Sequence, residues 1–217
     1  MKLSKETLGL LKNFSGINSN LILRDTGKLS TISAQKNIMA SGTIAEIFPS
    51  EFCIYDLNEF LGAMSLFTDP DLVFSEKYVS IKEGTNSIKY YAADKSVILS
   101  PQKEITFPSS DIEFTLTSAT LAMISRTASV LRAPDLSIIG IDGKIKLVVG
   151  DRKNTTANTY DIDVGTTDTT FDVAMKVENL KLIPADYEVS ISSKKISRFT
   201  HGNNVYFIAV EADSTFE

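Results

Sequence analysis

The feature that most restricts the fold is a single order of helical and extended segments that occurs twice along the 217 residues. In the first half Ser4 is a good helix N-cap, with Lys5 and Glu6 in the first turn. Leu3, Leu10, Leu11, Phe14 and Ile17 recur at helical spacing, and Gly16 with the Asn18-Ser19-Asn20 cluster ends the helix. The runs LILRD and KLSTIS flank Asp25-Thr26-Gly27 and predict a hairpin, because glycine supplies the positive φ a tight turn needs. Strand-like sequence follows over 37–48 and again up to Tyr55. Asp56 then caps a second helix whose apolar face is Leu57, Phe60, Leu61, Met64 and Leu66. The runs LVFS, KYVSIKE, SIKYYA and SVILS complete the half.

Residues 111–217 repeat the plan. The strand IEFTL leads into a helix from Thr117 or Ser118 to about Leu131, then LSIIGID, a turn at Gly143, and KIKLVVG. A polar loop over 151–158 and two strands precede a short helix expected near 176–182, stopped by Pro184. YEVSISS, ISRFTH and NVYFIAVEA close the chain. The likeness between halves is one of element order rather than residue identity. It predicts an α+β protein of two similar domains, 1–110 and 111–217, with PQKEITFPSSD as the connector. Two short amphipathic helices cover only one face of each half's sheet, and an antiparallel sheet tolerates water on the other.

Charge sharpens the problem. The formal net charge is −5, whereas a protein that wraps nucleic acid by charge alone is basic overall. Yet the positive residues cluster. On the first helix Lys2, Lys5 and Lys12 lie opposite the apolar face. On the third, Leu121, Ile124, Ala128 and Leu131 form the apolar stripe; Ser118, Ala122, Ser125, Arg126 and Ser129 lie opposite, with Arg132 at the end. No acidic residue occurs between Thr117 and Ala133. The expected fourth helix adds Lys176 and Lys181 against Glu178. A solvated helix face explains any one of these helices, but ordinary surface helices mix both signs. The second helix breaks the pattern: Asp56 and Glu59 suit its N-terminal dipole, and it carries no Lys or Arg.

The residues for common catalytic chemistries are scarce. One Cys and one His provide neither a zinc site of usual composition nor a Cys–His dyad. Cys53, in the run FCIY, reads as a buried small hydrophobe, and its solitude rules out an intramolecular disulfide. His201 sits in a strand-end setting, FTHGNN. The chain has no G-x-S-x-G, G-x-x-x-x-G-K-[ST] or G-x-G-x-x-G. Asp161 and Asp163 alternate on one strand; a polar edge face accounts for them more simply than a metal. No cofactor or metal is expected. No apolar run reaches the roughly 20 residues that span a bilayer, and the N-terminus reads as an amphipathic helix rather than a signal peptide.

Three runs, MKLSKETLGLLKNFSGINS, IYDLNEFLG at 54–62 and VEADSTF near the C-terminus, closely resemble the DNA polymerase sliding clamps (processivity factors) of T-even-type bacteriophages. The resemblance covers the whole chain and is weakest in 28–50 and 151–170. It implies the DNA clamp fold: two similar domains, each with two inner helices and outer antiparallel sheets. It further implies a homotrimer, closed head to tail, that encircles double-stranded DNA without reading its sequence. Lys5, Lys12, Arg126, Arg132, Lys176 and Lys181 would then face the DNA. The implied partners are the replicative DNA polymerase, a clamp loader and a late-transcription sigma-like factor, in the cytoplasm of an infected bacterium. Their short apolar peptides would enter a pocket for which Val97, Ile98, Leu99, Pro101, Val210 and Ala212 are candidates. Ordinary packing accounts equally for each of those six. Two other classes remain open on residues alone, a strand-rich virion protein and a small hydrolase; acid-free basic helix faces disfavour the first, and the single His and Cys disfavour the second.

Overall fold

Periodicity decides where the apolar side chains go, and the computed structural model, which describes residues 1–216, shows the outcome. The chain divides into two units, Met1–Glu104 and Ile105 onward. In the first, α1 (Lys5–Ser15) starts where the Ser4 side chain accepts the Thr7 N–H, and it buries Thr7, Leu10, Leu11 and Phe14. Its apolar face packs against α2 (Leu57–Ser65), which buries Leu57, Phe60 and Met64 and is capped by the Asp56 carboxylate on the Asn58 and Glu59 N–H groups. Around the helices run β1 (Leu21–Leu23), β2 (Lys28–Ile32), β3 (Ile38–Thr43) and β4 (Phe52–Ile54), then β5 (Asp71–Phe74), β6 (Tyr78–Glu83) and β7 (Asn86–Tyr91). The last three form an antiparallel meander. Phe48 and Phe52 set their rings edge-on to Phe74 at 5.7 and 5.4 Å, and Phe60 meets Tyr90 at 5.3 Å.

The hairpin expected over 21–32 does not form. β1 pairs with β4, and β2 pairs with β3. All three residues of each of β1 and β4 are buried, so this short pair belongs inside the unit, where LIL and FCI satisfy each other's backbone.

The second unit contains β8 (Ile112–Leu116), α3 (Ser118–Leu131), β9 (Asp135–Ile141), β10 (Lys144–Gly150), β11 (Tyr160–Thr166) and β12 (Phe171–Lys176). β13 (Tyr187–Ser192), β14 (Ile196–His201), β15 (Asn204–Ala209) and β16 (Thr215–Phe216) follow. One antiparallel sheet runs β11-β10-β9-β12-β16, and β8, β13, β14 and β15 pair antiparallel in a second group. Here the expected tight turn does form: Asp142 and Gly143 have φ of 52° and 77° and join β9 directly to β10. A Cβ on Gly140 would come within 2.5 Å of the Phe171 ring, so this β9 position requires glycine for close packing. α3 buries Leu121, Ile124 and Ala128 and packs against β10.

The fourth helix expected near 176–182 is absent. β12 extends to Lys176, whose register partner on β9 is Asp135, and only a 3₁₀ turn, Val177–Asn179, follows. Lys176 supplies no side-chain cap and Pro184 closes the segment five residues after the turn ends, too short a span for α-helix to outcompete the β9 ladder. The described residues thus hold three α-helices rather than four.

Candidate nucleic-acid interface

The outward sides of α1 and α3 carry the positive charge that the sequence places there. On α1, Lys5, Gly9, Lys12 and Gly16 are exposed, opposite the buried Leu10, Leu11 and Phe14. Lys2 is not part of this row: it precedes the Ser4 cap and its Nζ is bound to Asp69. On α3 the exposed residues include Ala119, Ala122, Ser125, Arg126, Ser129 and Arg132. Arg132 ends the helix in the left-handed region, φ 54°, a conformation usually left to glycine or asparagine. Among the described residues, Lys5, Lys12, Arg126 and Arg132 are exposed and engaged in no ion pair. The outward side of α2 is different, with Asn58, Glu59, Gly62 and Ser65 exposed and no basic residue.

Lys176 and Lys181 do not share a helix face, since no helix forms there. Lys176 binds the carboxylate of Asp135, which is only 3% exposed. That hydrogen bond, opposed by partial burial, holds the Lys176 ammonium above the ordinary lysine range. Asp135 also accepts the Arg152 backbone N–H at 3.1 Å. Lys181 lies exposed in the loop after the 3₁₀ turn. Sequence gives no warning of the Asp135 contact, because its partner is 41 residues away.

The apolar pocket candidates divide between the two units. Val97, at the end of a 3₁₀ turn, is 54% exposed. Ile98 is buried against Ile22 and Cys53. Leu99 is half-buried and pinned through its backbone: its N–H donates to Asn20 at 3.1 Å and its carbonyl accepts from Asn18 at 3.1 Å. Pro101 is half-buried. In the other unit Val210 is buried and donates its N–H to the Lys195 carbonyl, while exposed Ala212 lies on a cavity of about 560 Å³ walled by Arg152, Asp172, Lys176 and Asp213. Val97 and Ala212 are therefore the exposed members of the six, and Ile98 and Val210 serve the packing of their own units.

The other residues weighed for chemistry have structural roles. Cys53 is buried at 6% exposure. Asp161 and Asp163 lie on edge strand β11 and pair with Lys146 at 3.2 Å and Lys144 at 2.6 Å. His201 ends β14 with its Nδ1 2.9 Å from the Asp186 carbonyl. No group of three or more metal-ligating side chains exists among the described residues, and no helix is long and apolar enough to cross a membrane.

Solved structures of the same architecture define the class. The proliferating cellular nuclear antigen of Entamoeba histolytica superposes with a TM-score of 0.71 over 97% of both chains at 16% identity. A chain of the PCNA2–PCNA3 complex from Sulfolobus tokodaii matches with a TM-score of 0.66 over 98% of this chain and 100% of that one, at 12% identity. The fold is therefore that of a DNA clamp. Sequence comparison narrows it: residues 4–100 match the family described as DNA polymerase processivity factor, and residues 113–212 match gp45 sliding clamp, C terminal. The sliding clamp of Vibrio phage KVP40 is 32% identical over 98% of this chain and all of its own length, and that of enterobacteria phage T4 is 30% identical over the whole of both. The chain belongs to the sliding clamp family of T4-like phages, the DNA polymerase processivity factors.

Proposed function

We propose that three copies of the chain close head to tail into a ring around double-stranded DNA and tether the replicative polymerase to it. The observation that carries this reading is the unpaired, acid-free basic face of α3, matched by Lys5 and Lys12 on α1, in a chain of net charge −5. Retention comes from topology, so the contacts need only be few and exchangeable. Lys5, Lys12, Arg126 and Arg132 touch phosphates without reading bases, with Lys181 contributing from its loop. Lys176 contributes least, because Asp135 already neutralises it. The acidic remainder keeps DNA off other surfaces. The protein works by tethering rather than catalysis, in the cytoplasm of the infected bacterium, and an ATP-driven loader opens the ring. Partners, with a late-transcription sigma-like factor among them, dock short apolar peptides near Val97, Leu99 and Pro101.

The domains 1–110 and 111–217 supply two such faces per copy. The test compares processive synthesis on primed circular and linear templates with loader present. Stimulation that disappears when DNA ends are free supports the ring; equal stimulation on both templates refutes it. Native mass provides a second check, with three protomers expected.

A further inference from the structure

We infer that Glu46 and Asp186 act as anion screens, carboxylates that occupy N-terminal donors of α1 and α3 so that DNA phosphates do not settle there. These are the two helices with basic outward faces, and a helix N-terminus adds about half a positive charge and unfilled N–H groups to such a face. Left open, it would form a rigid phosphate seat beside the lysines and arginines. In both helices an acid from elsewhere in the chain closes it. Glu46 accepts the Ser4 N–H and the Thr7 hydroxyl, 42 and 39 residues away. Asp186 accepts the Ser118 N–H at 2.6 Å across 68 residues. Neither acid is needed as an ordinary cap, because the Ser4 side chain already accepts the Thr7 N–H and the Thr117 side chain accepts the Thr120 N–H. α2, whose outward side has no basic residue, is closed from within by Asp56, its own cap.

Lysine and arginine side chains are long and flexible, so a phosphate held by one passes readily to the next. Backbone N–H groups at a helix start are fixed in place, and a phosphate bound to them fixes the protein's position on the duplex. A ring retained by topology needs no such grip and would lose mobility to it. With the helix starts filled, contact is left to the exchangeable side chains of Lys5, Lys12, Arg126 and Arg132. Asp186 is itself held in place: its carbonyl accepts from His201 Nδ1 at 2.9 Å, and the adjacent Tyr187 donates its hydroxyl to the Ile183 carbonyl at 2.8 Å. The lone histidine thereby helps position the loop that closes α3. The inference rests on the reading of a ring around DNA, and adds how its contacts are kept weak.

The test has two arms, both on the full-length protein. In the first, inorganic phosphate is titrated while the Ser4 and Ser118 amide signals are followed by NMR. Wild type should show no saturable shift at either; Asp186→Ala should show one at Ser118, and Glu46→Ala one at Ser4. In the second, labelled protein is loaded onto end-blocked DNA and its diffusion is tracked by single-molecule fluorescence. Asp186→Ala and Glu46→Ala should each diffuse roughly threefold more slowly than wild type at low salt, with the gap narrowing as salt is raised. Asp186→Asn keeps an acceptor but loses the charge and should fall between, and Asp186→Glu should restore wild-type diffusion. Asp168→Asn removes one exposed acid from the segment between β11 and β12 and should change nothing. A purely structural cap would lower the melting temperature while leaving phosphate response and diffusion as in wild type. That result, or equal slowing by Asp168→Asn, overturns the proposal. Wild-type protein that fails to stay on end-blocked DNA refutes the ring, and the phosphate titration still decides whether the acids exclude anions; normal wild-type retention with unchanged variants refutes the screen alone.

Discussion

Single residues show where this molecule trades stability for surface. Gly9 and Gly62 stand in the interiors of α1 and α2, exposed, and a Cβ added at either would meet nothing within 4 Å. Neither packing nor backbone angle requires glycine there, and glycine costs about 1 kcal/mol relative to alanine in a helix interior. Gly9→Ala should therefore raise stability by about 1 kcal/mol in urea titration, and Gly62→Ala by a similar amount. Asp135 behaves oppositely. Its buried carboxylate serves both the Lys176 ammonium and the Arg152 N–H. Asp135→Asn leaves Lys176 without its counter-charge and should cost about 3 kcal/mol by the same titration. Truncating Lys2, whose bond to Asp69 is exposed, should leave the midpoint unchanged. None of these contrasts is visible in composition; burial separates one lysine–aspartate pair from the other.

At the scale of elements, α1 depends on a residue outside it. Glu46 receives the Ser4 N–H and the Thr7 hydroxyl, closing the helix N-terminus from a loop about 40 residues away. Burial alone would raise the Glu46 pKa, but the hydrogen bonds from Thr7 and Ser4 prevail and hold it below the ordinary glutamate range. A carboxylate depressed in the folded state stabilises above its unfolded pKa, and that stability is lost as pH falls through the folded value. Glu46→Gln should thus destabilise the protein at neutral pH, and the gap from wild type should close below about pH 4 in thermal melts. The three helices were legible because caps and apolar spacing agree: Ser4, Asp56 and Thr117 each cap a run whose apolar residues share a face. Residues 176–182 have the spacing without a cap, and the β9 partner of Lys176 claims the start of that segment for strand. The pairing of β1 with β4 escaped for a related reason, since a local turn signal says nothing about a partner roughly 30 residues away.

For the whole molecule, the proposed ring depends on segregated charge. Lys12→Ala combined with Arg126→Ala should leave native mass unchanged while processivity on circular DNA falls several-fold at raised salt, where the remaining phosphate contacts are weakest. Loss of the proposed trimer in that variant would show that these residues build the assembly instead. The sequence by itself determined the α+β class, the three capped helices, the acid-free face of α3 and the scarcity of catalytic side chains, because each follows from residue identity and short-range spacing. Only tertiary structure decided that Lys2 and Lys176 are neutralised and that Ile98 and Val210 are consumed by packing. Those outcomes depend on which distant strands pair and which charges they bring within a few ångströms, and local periodicity carries no information about either.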